Sequence, residues 1–244
     1  MPPEGAPVAV VTGGGSGIGL ACANALAARG TRCVLVGRRQ DRLEAAASTL
    51  AAPATVVAAD LTAAGEPDRV VDEALAAHGR IDAMVHSAGV FEKAPAAEVE
   101  SEHWQRVLDV NLGAVMALTR AGWAALGDTG GQIVLISSIA AVQAFEGNAA
   151  YAASKGGLNS LGEVLRLEGR DHGIRVITLC PAQTDTELWA QKAPAAVRDR
   201  MMPAAGVGEL VADLLGTDRR IDIGPVTITP VTDPWQEATE VPDD

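Results

Sequence analysis

Val8-Ala-Val-Val-Thr12-Gly13-Gly14-Gly15-Ser16-Gly17-Ile18-Gly19 sets a valine-rich run directly before a glycine-rich turn, and an Ala- and Leu-rich stretch continues to Arg29. The order is strand near 7–12, tight turn, helix from about 18 to 29. Glycine is required there because it adopts positive φ and lets the backbone approach a pyrophosphate closely. The free N–H groups and positive dipole end of the following helix attract the same anion. Gly13, Gly15, Ser16, Gly17, Ile18 and Gly19 are therefore candidate phosphate-binding residues. The competing hydrolase elbow, Gly-x-Ser-x-Gly, fails because Ile18 stands at its fifth position.

Working outward, further Val- and Ile-rich runs fall near 32–36, 54–59, 82–86, 132–137, 174–180 and 225–229. Stretches long enough for helices separate them, the longest near 101–126 and 150–171. This alternation predicts repeated βαβ units in a parallel sheet. The fold class expected is α/β, a single-domain Rossmann fold with a doubly wound seven-stranded parallel sheet flanked by helices. A chain of 244 residues suits one such domain, over 1–231, followed by an acidic flexible tail over 232–244. Trp235 is the one candidate anchor of that tail.

Strand ends carry the next candidates, because ligands bind beyond the carboxyl ends of parallel strands. After the second strand the chain reads Gly37-Arg38-Arg39, where an acidic residue would favour NAD. Two arginines before a helix oppose its dipole unless an anion compensates, so Arg38 and Arg39 predict binding of a 2′-phosphate and hence NADP(H). The alternative is a solvated basic turn. Asp60-Leu61 and Ser87-Ala88-Gly89 end the third and fourth strands. They are candidates for adenine and ribose contact, although each taken singly reads as a turn.

Tyr151-Ala-Ala-Ser-Lys155 carries the chemistry. Residues four apart share one helix face, so the phenol and the amine point the same way. A tyrosine titrating near about 10 must fall by about three pH units to act as a base near neutrality, roughly 4 kcal/mol. An ammonium about 4 Å away at an effective dielectric near 20 supplies about that much. Ser138, ending the fifth strand, is placed to hydrogen-bond a substrate oxygen while Tyr151 transfers the proton. A Tyr-x-x-x-Lys pair by itself is usually a packed ring and a solvated amine. With one tyrosine and three lysines in 244 residues, however, the spacing arises by chance about 1% of the time.

Thr12 to Gly19, Tyr151 to Lys155, and Ser138 thirteen residues before the tyrosine together resemble the short-chain dehydrogenase/reductase family over about residues 7 to 230. The resemblance implies hydride transfer between NADP(H) and a ketone, aldehyde or secondary alcohol, with Tyr151 as general acid and base. It also implies that Asn111 is a fourth catalytic residue, holding a water that links Lys155 to solvent. Asn111, Tyr151 and Lys155 should border the cofactor too, as should Pro181, Thr184 and Thr186. A strand order 3-2-1-4-5-6-7 and homodimers or homotetramers built on the two long helices are further implications. Two departures stand out: His86-Ser87-Ala88-Gly89 replaces the family's Asn-Asn-Ala-Gly, and Pro181-Ala182 replaces Pro-Gly. The runs Thr184–Leu188 and Val226–Pro230 resemble the branch holding 3-hydroxy acid and clavulanate-type dehydrogenases.

The substrate pocket is expected from the loops 90–94, 139–146 and 188–203. Phe145, Leu188 and Trp189 are its main candidates, beside Ser138 and Tyr151, with Phe91, Val142, Met201 and Met202 adding apolar surface and Glu146 a polar point. A net charge of −12 argues against nucleic acid and anionic membranes. The absence of a 20-residue apolar run and of signal-peptide composition predicts a cytoplasmic protein without a membrane span. No His or Cys spacing suggests a metal, and Cys22, Cys33 and Cys180 read as buried thiols. The rival functional class is a non-catalytic NADP(H)-binding sensor or scaffold on the same fold.

Overall fold

The computed structural model describes residues 5–190 and 192–236. Strands β1 (Val8–Thr12), β2 (Arg32–Gly37), β3 (Thr55–Ala58), β4 (Ala83–His86), β5 (Gln132–Ile136) and β6 (Arg175–Pro181) follow the expected runs closely. Two short strands, β7 (Thr184–Asp185) and β8 (Met202–Pro203), pair with each other, and β9 (Val226–Ile228) closes the main sheet. The helices are α1 (Gly17–Ala28), α2 (Gln40–Ala47), α3 (Glu66–His78), α4 (Ser101–Leu108), α5 (Ala114–Thr129), α6 (Ala149–Gly169), the short α7 (Ala195–Arg198) and α8 (Ala204–Gly216). The sheet has seven parallel strands in the order β3-β2-β1-β4-β5-β6-β9. That is the order the resemblance implies, with β9 as seventh strand.

Successive residues of a strand face opposite sides of the sheet, and both sides here are dry. Val8 and Val10 join Val70, Leu118 and Leu158 in the core beneath α3, α5 and α6. Ala9 and Val11 join Cys22, Leu26, Leu43 and Val211 beneath α1, α2 and α8. All three cysteines are free and buried, and burial pushes the Cys22 and Cys33 thiols up to about 12, which leaves them unreactive.

The helix expected over 101–126 is two helices joined by a π-helical turn at Asp109–Gly113. The extra residue in that turn accompanies a contact no local pattern reveals. Asn111 accepts from Val90 N (2.8 Å) and donates to Val90 O (3.0 Å) and Ser154 Oγ (3.1 Å), 21 and 43 residues away.

On the opposite face α8 meets α1 at backbone distance, since a Cβ on Gly208 would lie 2.4 Å from Ala21 O. Gly208→Ala must part the two helices and should cost about 2 kcal/mol or more. Gly216→Ala, at the open end of the same helix where a Cβ would meet nothing, should be neutral or stabilising by up to about 1 kcal/mol. Urea denaturation of the two variants checks the contrast.

Candidate active site

Parallel pairing aligns Thr12 with Val36 and His86, and Ile136 with Leu179, so the strands end at one edge. Thr12 ties that edge together, its Oγ1 accepting from Ser87 N (3.0 Å) and Ala88 N (3.1 Å). Two adjoining hollows open there, of about 670 and 200 Å³, with Gly13, Ser16, Ala88 and Gly89 lining both.

The glycine-rich turn fills the space between them. Gly13 and Gly17 have φ of +67° and +54°, and a Cβ on Gly13 would lie 3.0 Å from the Ala88 backbone. Ser16 stands at the N-cap of α1 without a side-chain capping bond, and no acidic residue occupies the first turn. The positive end of α1 is thus left to whatever enters the cleft. Gly15 lines the smaller hollow, and Gly17 and Ile18 line the larger. Gly19 lines neither; its lack of a side chain lets Gly13 O come within 2.4 Å of where a Cβ would sit.

Arg38 and Arg39 reach the smaller hollow beside Asp60 and Leu61. The Thr62 hydroxyl and backbone N–H hold the Asp60 carboxyl below its usual range, with a smaller pull from Arg38. One Asp60 oxygen, Oδ1, accepts both Thr62 bonds. Arg42 lies at the same end and forms an ion pair with Glu187, a residue of the larger hollow.

Ser138, Tyr151 and Lys155 converge in the larger hollow. Ser138 Oγ accepts from Ala140 N (3.1 Å), which orients the hydroxyl, and Ser138 shares a side-chain hydrogen bond with Tyr151. Lys155 is buried, donates to Ile136 O (2.9 Å), and holds its Nζ 5.8 Å from the Tyr151 ring centroid. Burial lowers Lys155 to about 8 and raises the Tyr151 phenol, which the Ser138 bond only partly offsets. In the chain alone the tyrosine is therefore shifted opposite to the direction expected from a neighbouring ammonium. The reason is that the surrounding chain desolvates the half-buried phenol while the ammonium donates to a main-chain carbonyl.

Asn111 lines neither hollow. It lies behind Gly89, where a Cβ would sit 3.2 Å from Asn111 Oδ1 and 3.8 Å from Lys155 Nζ. Its side chain is tied to Val90 and Ser154. Pro181, Thr184 and Thr186 line the larger hollow, as do Phe145, Leu188 and Trp189. Glu146, Val142, Met201 and Met202 do not; Met201 is instead buried in packing, while Val142 is 65% exposed. Sequence reasoning missed Asn148, Gln183 and Asp233, which line the cleft from loops whose placement is purely tertiary. Trp235, read only as an anchor for the tail, lines it as well. The remaining tail residues, 237–244, lie outside the described residues.

Residues 7–196 match the family described as short chain dehydrogenase. The chain belongs to that family. It is an oxidoreductase of the short-chain dehydrogenase type, with the fold of the family's solved members. A short chain dehydrogenase from Burkholderia cenocepacia in complex with NADP superposes with a TM-score of 0.84 at 30% identity, covering 92% of this chain and 96% of the other. A 3-ketoacyl-(acyl-carrier-protein) reductase from Brucella melitensis complexed with NADH gives 0.86 at 27%, covering 92% and 97%. Among curated relatives, a D-threitol dehydrogenase of Mycolicibacterium smegmatis is 38% identical over 74% of this chain and 71% of its own length. No described helix is long and apolar enough to cross a membrane.

The family departure at His86 has a clear outcome. His86 is buried, its Nε2 lies 3.1 Å from Thr119 Oγ1, and burial lowers it to about 4. An unfolded histidine titrates near about 6.5, so between these values the unfolded chain holds the extra proton and stability rises with pH. The neutral ring's contribution is complete above about 6.5 and lost as pH falls through about 4. From pH 7 to 5 the wild type should lose about 2 kcal/mol more than His86→Asn, read from urea midpoints at the two pH values.

Proposed function

We propose that the protein is an NADP(H)-dependent carbonyl reductase and alcohol dehydrogenase in which Tyr151 is the general acid and base. The observation that carries this is the meeting of Ser138, Tyr151 and Lys155 at one end of a cleft whose other end holds the glycine-rich turn and two arginines. The residues present fit a dinucleotide: the uncapped N-terminus of α1 suits the pyrophosphate, and the close approaches at Gly13 and Gly17 suit a backbone-lined groove. Arg38 and Arg39 suit a 2′-phosphate, which favours NADP(H) over NAD(H). Pro181, Thr184 and Thr186 would border the nicotinamide end.

The nicotinamide, when bound, supplies or accepts the hydride. The chain's own residues manage the proton. In reduction Ser138 donates to the carbonyl oxygen and holds it beside the Tyr151 hydroxyl, which transfers its proton to that oxygen as the carbon is reduced. The upward shift of Tyr151 keeps the phenol protonated near neutrality, the form this step needs. The Lys155 ammonium then faces the phenolate left behind, and the buried setting strengthens that attraction. A water held at Asn111 and linked to Lys155 would return the proton from solvent. Exposed Met116 on α5 and Val164 and Leu167 on α6 support pairing of subunits through these helices.

Tyr151→Phe should lower turnover of carbonyl substrates by about 10²- to 10⁴-fold while leaving NADPH binding within about 2-fold. A protein that only senses the nucleotide would behave identically in both forms, as followed by NADPH absorbance and by nucleotide titration. Arg38→Ala should narrow the preference for NADPH over NADH roughly 10-fold or more in kcat/KM. Unchanged discrimination would remove Arg38 from the 2′-phosphate site.

A further inference from the structure

Aromatic residues are scarce in this chain, two Phe, one Tyr and four Trp in 244 residues. Five of those seven line the larger cleft: Phe91, Phe145, Tyr151, Trp189 and Trp235. They come from four separate stretches of the chain, with Phe145 and Tyr151 six residues apart on one of them, so the clustering is mainly a product of the fold. Phe91 organises the inner wall. Its ring meets Tyr151 edge to face at 4.8 Å and lies 5.9 Å from Trp189. Lys192 pins it from outside, with Nζ 4.5 Å from the ring centroid and 3.0 Å from Phe91 O.

The outer wall is apolar surface left in water. Phe145, Leu188 and Trp235 are 37%, 39% and 40% exposed, and all three face the cleft. A short polar substrate would leave that rim wet. A flat apolar ring would cover it and meet aromatic faces or edges on both sides. Trp235 belongs to a segment beyond β9, held in a turn in which its main-chain N–H donates to Asp233 Oδ1 at 2.9 Å. It lines the same cleft as Ser138, Tyr151 and Lys155.

We infer that the substrate is a carbonyl carried on a ring system, an aryl or benzo-fused cyclic ketone or the corresponding secondary alcohol, and that Trp235 determines specificity by packing on that ring. This rests on the oxidoreductase reading above and narrows it to a substrate class. Trp235 touches the ring and not the reacting atoms, so its removal should weaken binding without slowing the chemical step.

The test compares α-tetralone with 2-butanone, each with NADPH, and erythritol with NADP⁺, on wild type, Trp235→Ala and Trp235→Phe. Tetralone should exceed butanone at least 10-fold in kcat/KM. Trp235→Ala should raise the tetralone KM about 10-fold with kcat within 2-fold, Trp235→Phe should restore most of it, and butanone should be unaffected. Equal efficiency on butanone or erythritol, or an equal loss on every substrate in Trp235→Ala, overturns the ring assignment while leaving the oxidoreductase reading intact. Calorimetric titration of tetralone into the NADP⁺-saturated protein, where no hydride is available to reduce it, gives a readout independent of turnover. Binding about 10-fold weaker in Trp235→Ala supports the proposal even if no ketone is reduced, and equal binding refutes it. Failure to turn over any carbonyl, with Tyr151→Phe indistinguishable from wild type, counts instead against the reaction.

Discussion

Parallel strand pairing is the constraint from which the site follows. Because every strand of the main sheet runs the same way, their carboxyl ends share one edge, and residues as distant as Gly13, Ser87, Ser138 and Thr184 become neighbours there. Thr12 secures the centre of that edge by accepting two main-chain N–H groups from the start of the loop after β4. Were β1 and β4 to slip by one residue, each strand's apolar set would turn to the wrong face and this bond pair would be lost together with it. The cleft is thus as rigid as the sheet at its floor, and its variable parts are hung on loops above.

Within that frame two buried polar groups divide the work. Asn111 closes the main chain of Val90 and fixes the π-helical turn, which holds the start of α5 against α6 through Ser154. Lys155 is withdrawn from water beneath the tyrosine and satisfied by a carbonyl of β5. A buried amine beside a half-buried phenol is costly to assemble, and it is tolerated because each has a hydrogen-bond partner.

Much of this was legible in the chain before any coordinates. The valine runs that alternate faces predicted the strands to within a residue or two, and the turn after β1 announced its own helix. The spacing of Tyr151 and Lys155 announced a shared face. What escaped reading has a common physical origin in distant contacts. The π-helical turn keeps the apolar pattern of an ordinary helix, and the Asn111 bonds to Val90 and Ser154 that accompany it join distant parts of the chain. The upward shift of Tyr151 depends on burial by residues from other segments, which no spacing encodes. Glu146 was a plausible pocket residue by position, but the chain turns so that Phe145 faces the cleft instead. Trp235 sat in a tail whose composition argued for solvent, and only the position of that segment brings it to the cleft.

The ion pair between Arg42 and Glu187 joins parts of the chain 145 residues apart. One end belongs to the helix beside the smaller hollow, the other to the segment that carries Leu188 and Trp189. Both partners are substantially exposed, so the link is soft, on the order of 0–1 kcal/mol. It nevertheless means that the surface proposed for the coenzyme and the surface proposed for the reactant are tethered, and neither can be reshaped by evolution or by design without some strain passing to the other.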